Sequence, residues 1–292
     1  MNASARHGVL AALCTSLAAF GLAGVQAETA PQPREFGKQV LPERVFQDIV
    51  MESTQFIQET LNKEQQSIKP RPALAAACNI SGRSARTIRA NALIIGLAAQ
   101  NRMLGVGTGP DAAKLATLRD AAVKLAVAVA KNPTDNPHLG AQVEILSLYP
   151  NLAADPDTSL TPMRFRATFT HDDIASIFSG CGGNKTQLIE QRMGRLLQPK
   201  ALFTSENVGK LELLAYKVAL LSDVIRDMDD MIPASDKKVV EHRKEWVRFA
   251  SEVHQEGWQL AETVRDGNVA NMRQRLTKLD NACAACHNKF RQ

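Results

Sequence analysis

The sequence predicts an all-α protein, and three observations carry that prediction. Alternating β-branched and aromatic runs are nearly absent. Apolar residues recur instead at spacings of three and four over long stretches, the period of one helix face. Glycine and proline punctuate these stretches. A chain of 292 residues is too long for one four-helix bundle, so two helical domains are expected.

The N-terminus reads as a secretion signal. Arg6 and His7 precede an apolar run, Gly8 to Gly24, that ends in Val25-Gln26-Ala27. Cleavage after Ala27 is expected. The run is short and rich in alanine, which favours export over a retained membrane helix. Cys14 follows Leu13 rather than a small residue, which argues against a lipid anchor, and no later segment is apolar enough to span a membrane. Loss of residues 1–27 lowers the formal charge from +5 to +4, because Arg6 leaves and no acid does. A mildly basic chain with mixed charge, few aromatics and no basic run excludes nucleic acid as a partner and suits an acidic protein partner.

Residues 28–40 carry Pro31 and Pro33 and read as an extended arm. Residues 41–150 read as a first helical domain. Pro150, Pro156 and Pro162, set among Asp155, Asp157, Thr158 and Ser159, make 151–168 a linker. Four helices are expected in 169–292. The first, about 171–198, starts at Thr170 with Asp173 three residues on and is closed by Pro199. The second, about 206–230, is capped by Ser205 and carries an apolar seam of Val208, Leu211, Ala215, Val218, Leu221, Ile225 and Met228. The third, about 236–265, turns Val239, Trp246, Ala250, Val253, Leu260 and Val264 inward. Gly267 separates it from the fourth, about 268–291. Four helices with short connections fold most simply as an up-down-up-down bundle.

The first half reads as a diverged copy of the second. Thr54-Gln55-Phe56-Ile57 matches Thr186-Gln187-Leu188-Ile189, and Ala92-Leu93-Ile94 matches Ala219-Leu220-Leu221. The segment Arg119 to Ala126 matches Arg243 to Ala250. The matches occur in order, as a repeat requires.

The chemistry lies at the end of the chain. Residues 283–287 read Cys-Ala-Ala-Cys-His, and C-x-x-C-H is the attachment pattern of a c-type haem. Each thiol adds to a haem vinyl group, and the adjacent His287 supplies an imidazole nitrogen to the iron. A bare C-x-x-C also suits a disulfide, a redox pair or half of a zinc site. The following histidine, the lack of a second C-x-x-C and the export signal favour haem. Val269, Met272, Leu276, Leu279, Cys283, Cys286 and Phe290 recur at spacings of 3 and 4. Both thiols therefore lie on the inward seam of the last helix. In the first half the motif positions map to Ser159-Leu160-Thr161-Pro162-Met163. No thiol or histidine stands there, and Pro162 disfavours a helix. The first half is accordingly expected to hold no haem.

C-x-x-C-H-x-x-F-R on the final helix, in Cys283, Cys286, His287, Phe290 and Arg291, resembles the cytochrome c′ family of class II c-type cytochromes. The resemblance covers about the last 125 residues, by helix count and motif position. It implies a basic residue, here Arg291, near the proximal side of the haem, a solvated terminal arginine being the alternative. It also implies that the first helix of the bundle covers the other face, with an apolar residue leaving the iron five-coordinate or a methionine making it low-spin. That turn reads Ile177-Phe178-Ser179-Gly180-Cys181-Gly182-Gly183, without Met or His. Phe178 or Cys181 is expected nearest an open iron, and Met193 lies three turns on. The three glycines each cost about 1 kcal/mol in a helix interior. A close approach to the haem, a kink and a loop all account for them. Cys78 and Cys181 are either a disulfide or two buried thiols. His242 and His254 read as solvent-facing, and His171 as a residue at a helix start.

The expected function is a periplasmic c-type cytochrome with one covalent haem, transferring single electrons to a redox partner protein and performing no turnover. The alternative is a five-coordinate haem that binds nitric oxide or carbon monoxide. The haem-free half would then serve docking or dimerisation. The resemblance implies a homodimer formed through helices, or an internal repeat that supplies the same surface within one chain. A docking role predicts that deleting residues 28–150 leaves the haem spectrum unchanged.

Overall fold

The computed structural model describes residues 39–67, 80–131, 138–178, 189–198, 203–229, 232 and 235–290. The signal segment 1–27, most of the arm 28–40, Cys78, Cys181 and Arg291 lie outside the described residues. Among the described residues there are no strands. Nine α-helices occur: α1 (Glu43–Ser67), α2 (Ile80–Val106), α3 (Pro110–Lys131), α4 (His138–Ser147), α5 (His171–Phe178), α6 (Ile189–Leu197), α7 (Ser205–Arg226), α8 (Val239–Arg265) and α9 (Val269–Phe290). None of the described helices is long and apolar enough to cross a membrane.

Of the expected first helix of the second half, α5 and α6 are described, and 179–188 between them lie outside the described residues. The start of α5 is as expected. Asp173 N–H donates to Thr170 Oγ1 at 3.3 Å, and Thr170 N–H donates to Asp173 Oδ2 at 2.8 Å, a reciprocal capping box. The cap of α7 is Thr204 rather than Ser205, its hydroxyl accepting from Asn207 N–H at 3.3 Å. Thr204 places that amide at the third helical position, where a capping oxygen reaches it.

Residues from Arg34 onward form one compact unit, and one hydrophobic core runs through both halves. Two helices make this so. Every residue of α2 from 88 to 99 is buried, and so is α7 from 211 to 222 except Leu213. A helix buried all round has neighbours on every side. Helix α2 packs on α1, α3, α5 and α7, and α7 packs on α8, α2 and α1. The seam expected on α7 is buried from Leu211 to Leu221, but it is one part of a fully enclosed helix.

Charged pairs bridge the halves. Arg44 binds Glu212, and Lys217 binds Glu52. Glu52 also lies 3.9 Å from Arg192 of α6. Burial pulls the Lys217 ammonium below its ordinary pKa, and the Glu52 carboxylate works against that pull.

The segment expected as a linker is strapped to α2 and α3. Arg119, 1% exposed, donates to Ser159 O at 2.7 Å and to Thr161 O at 2.9 Å. Gln100 Oε1 accepts from Met163 N–H at 2.6 Å. Phe165 and Phe169 are buried. Residues 159–163 are not helical, as Pro162 leads one to expect.

Helices α7 and α8 approach closely because position 257 has no side chain. A Cβ there would stand 3.0 Å from Ala215 O and 3.1 Å from Ala219 Cβ. Beside it Trp258 meets Tyr216 edge-on, ring centroids 4.8 Å apart. Gly257→Val should cost about 1–3 kcal/mol by overpacking, read as a lower midpoint in urea. An unchanged midpoint would show that the two helices can separate freely.

Candidate functional site

Helix α9 begins as core and ends as the wall of a cavity. Met272, Leu276 and Leu279 of its seam are fully buried. Cys283, Cys286 and Phe290 continue the same stripe but are half-buried, and they line a cavity of about 500 Å³. That volume falls within the range of about 300–1,000 Å³ usual for ligand pockets. Val269, expected on the seam, is exposed at the first turn of α9. His287 lies on the exposed side of the stripe and still borders the cavity.

Four other helices complete the wall, which is mainly apolar. Helix α5 contributes Ile174, Ala175 and Phe178, and α8 contributes Trp246, Ala250 and Val253. Met193 of α6 also borders the cavity. Met228, expected on the α7 seam, lies just past the end of α7 and borders the cavity too, as does His171 at the start of α5.

Phe290 fastens the end of α9. Its ring meets Trp246 at 5.2 Å, Phe249 at 6.0 Å and His242 at 6.5 Å, each edge-on. Such pairs prefer edge-to-face geometry at these separations. Trp246 is itself held by a bond from Nε1 to Ile225 O at 2.6 Å. The last turn of α9, with Cys286 and His287, is therefore anchored to α8 by an aromatic cluster. His242 is half-buried, with Nδ1 2.7 Å from Asp236 Oδ2. His254 is buried rather than solvent-facing, with Nδ1 3.1 Å from Ala219 O. The close contact of α7 and α8 encloses it, which one-helix periodicity does not register.

Cys283 and Cys286 are free thiols. Burial pushes the Cys283 thiol up to about 12, helped by Asp280, Cys286 and Glu190. Burial, then Glu252, also raises Cys286. Burial thus favours the protonated thiol at both positions. Among the described residues no three His, Cys, Asp or Glu side chains gather to hold a metal ion.

No family model, curated protein or solved structure matches this chain.

The residues fit a covalently attached haem on three counts. The cavity is large enough for a flat, mainly apolar group. Two protonated thiols open into it from successive turns of one helix. One imidazole stands beside the second thiol. The cavity edge near Cys283 is acidic, with Glu190 and Asp280, and the described lining contains no Lys or Arg.

Proposed function

We propose that this chain is an exported c-type cytochrome of the periplasm, with one haem held by Cys283 and Cys286 and ligated by His287. Helices α5 to α9 would form the cytochrome c′-like up-down bundle around it. A haem supplies a one-electron couple when bound, and electron transfer to a redox partner is the activity that needs nothing further from the protein. The observation that carries the reading is the opening of Cys283, Cys286 and His287 into one apolar cavity. The chain's own part is to hold the thiols and imidazole on α9, lock that helix through Phe290 and exclude water with the apolar walls.

A second reading follows from α5. Its cavity face presents Ile174, Ala175 and Phe178, with His171 at the first turn as its one nitrogen donor. An iron left open on that side would bind carbon monoxide or nitric oxide. Met193, Met228 and His171 are the donors that would close it. The test is the optical spectrum of protein expressed with haem-maturation machinery, oxidised and reduced, with and without carbon monoxide. Sharp low-spin bands unmoved by carbon monoxide are expected of an electron carrier. A high-spin ferrous spectrum that shifts with carbon monoxide would place gas binding first. Absence of covalent haem would refute both.

A further inference from the structure

The cavity wall formed by α5 is tied to the half of the chain that carries no haem motif. Arg89 of α2 reaches α5 with the Nε–Nη2 edge of its guanidinium. Nε donates to Asp173 Oδ1 at 2.9 Å and Nη2 to Asp173 Oδ2 at 2.7 Å. The same guanidinium donates to Ala126 O of α3 and to Thr168 O of the strap, each at 2.7 Å. It also lies 5.5 Å from the centre of the Phe169 ring. Asp173 accepts in turn from the N–H and the hydroxyl of Thr170, at 2.8 and 3.0 Å. Arg89 is 8% exposed and Asp173 2%.

Helix α5 has eight residues, too few to hold its shape or place by local bonds alone. Its two faces have different duties. At about 100° per residue, His171, Ile174, Ala175 and Phe178 share one side, and all four border the cavity. Asp173 and Ile177 fall on the other side. Ile177 meets Ile94 of α2 and Leu214 of α7 around a small void. The cavity face therefore stands where the clamp on its back holds it. A buried ion pair is weak evidence for stability as such, because apolar replacements often do as well. Bidentate geometry does fix orientation.

We infer that Arg89 and Asp173 are positioning residues for the cavity, so that the haem-free half sets the shape and openness of the α5 wall. The inference rests on the reading of the cavity as the haem site. Burial opposes the Asp173 charge, but the Arg89 and Thr170 hydrogen bonds and the Arg89 charge outweigh it and hold the carboxyl below its ordinary range. The clamp is thus charged at neutral pH.

The test uses the full chain and two readouts. In the unloaded protein, amide exchange is followed over 171–178 and over α8 for Arg89→Met, Arg89→Lys and Asp173→Asn. Arg119→Met is the control, since Arg119 is equally buried but bonds to the strap and to no cavity wall. Arg89→Met should speed exchange in 171–178 at least about tenfold while α8 is unchanged, as expected of a local opening. Arg89→Lys should restore part of the protection, and Arg119→Met should leave 171–178 protected. In the haem-loaded protein, Arg89→Met should change the carbon monoxide association rate at least about threefold, whereas a purely structural role would leave that rate unmoved. Protection of 171–178 that is unchanged, or lost only in step with α8, overturns the inference. If Arg89→Met does not fold, Asp173→Asn decides by the same criteria. If no variant and not even the parent carries haem, the haem reading fails while the exchange data still decide the positioning role.

Discussion

Replacing Cys283 and Cys286 together by serine should abolish covalent haem completely. Protein coexpressed with haem-maturation machinery would be run on a denaturing gel and stained for haem peroxidase activity. The parent should stain and the double variant should not. Each single variant should keep one attachment and stain weakly. The loss in the double variant should be complete because the proposed attachment would be a pair of bonds to two named sulfurs, with no third thiol bordering the cavity among the described residues. The unloaded double variant should fold, since both side chains line a cavity rather than fill a core. Haem bound only by the native state would stabilise the parent, so the variant should also melt lower under loading conditions. A double variant that still stains would overturn the assignment of these sulfurs.

Deleting the first half should destroy the second. Were residues 39–147 a docking module, their loss would leave the haem spectrum unchanged. The packing predicts otherwise. Helix α7 is enclosed by helices of both halves, and removing one side uncovers much of its apolar surface. Glu212 and Lys217 would also lose Arg44 and Glu52. The deletion also opens both charges to water, so the loss rests on the uncovered apolar surface, at about 25 cal/mol per Å², against a total stability of about 5–15 kcal/mol for a typical domain. Circular dichroism and size exclusion of residues 148–292 should show lost helicity or aggregation. A monomer of full helicity that unfolds cooperatively would overturn this prediction and restore the first half as a separable module.

Much of this was legible in residue spacing. The seam Met272, Leu276, Leu279, Cys283, Cys286, Phe290 points where the periodicity says it does. Thr170 and Asp173 announce the start of α5. The matches between Ala92-Leu93-Ile94 and Ala219-Leu220-Leu221 fall on α2 and α7, the two enclosed helices. Other features escaped because they depend on contacts between distant segments. The run Leu214 to Leu221 of α7 is broken only by Lys217 among small and apolar residues. It was read as one inward stripe, although such density already argues for burial on all sides. The prolines of 151–168 suggested a free connection, yet Arg119 and Gln100 bind its backbone across more than thirty residues of sequence. Met193 and Met228 reach the cavity from α6 and from the turn after α7, and the periodicity of a single helix does not relate either to α9.

The acidic edge of the cavity has a further consequence. Glu190 and Asp280 border it, and no Lys or Arg stands among its described lining. Both carboxylates are exposed at the rim, where they repel an entering anion modestly and less so as salt is added. A neutral diatomic gas meets no such barrier. On the proposed reading, the cavity sorts visitors by charge before any of them reaches a metal. Azide or nitrite would be disfavoured at the threshold, and carbon monoxide, nitric oxide and neutral hydrogen cyanide would pass.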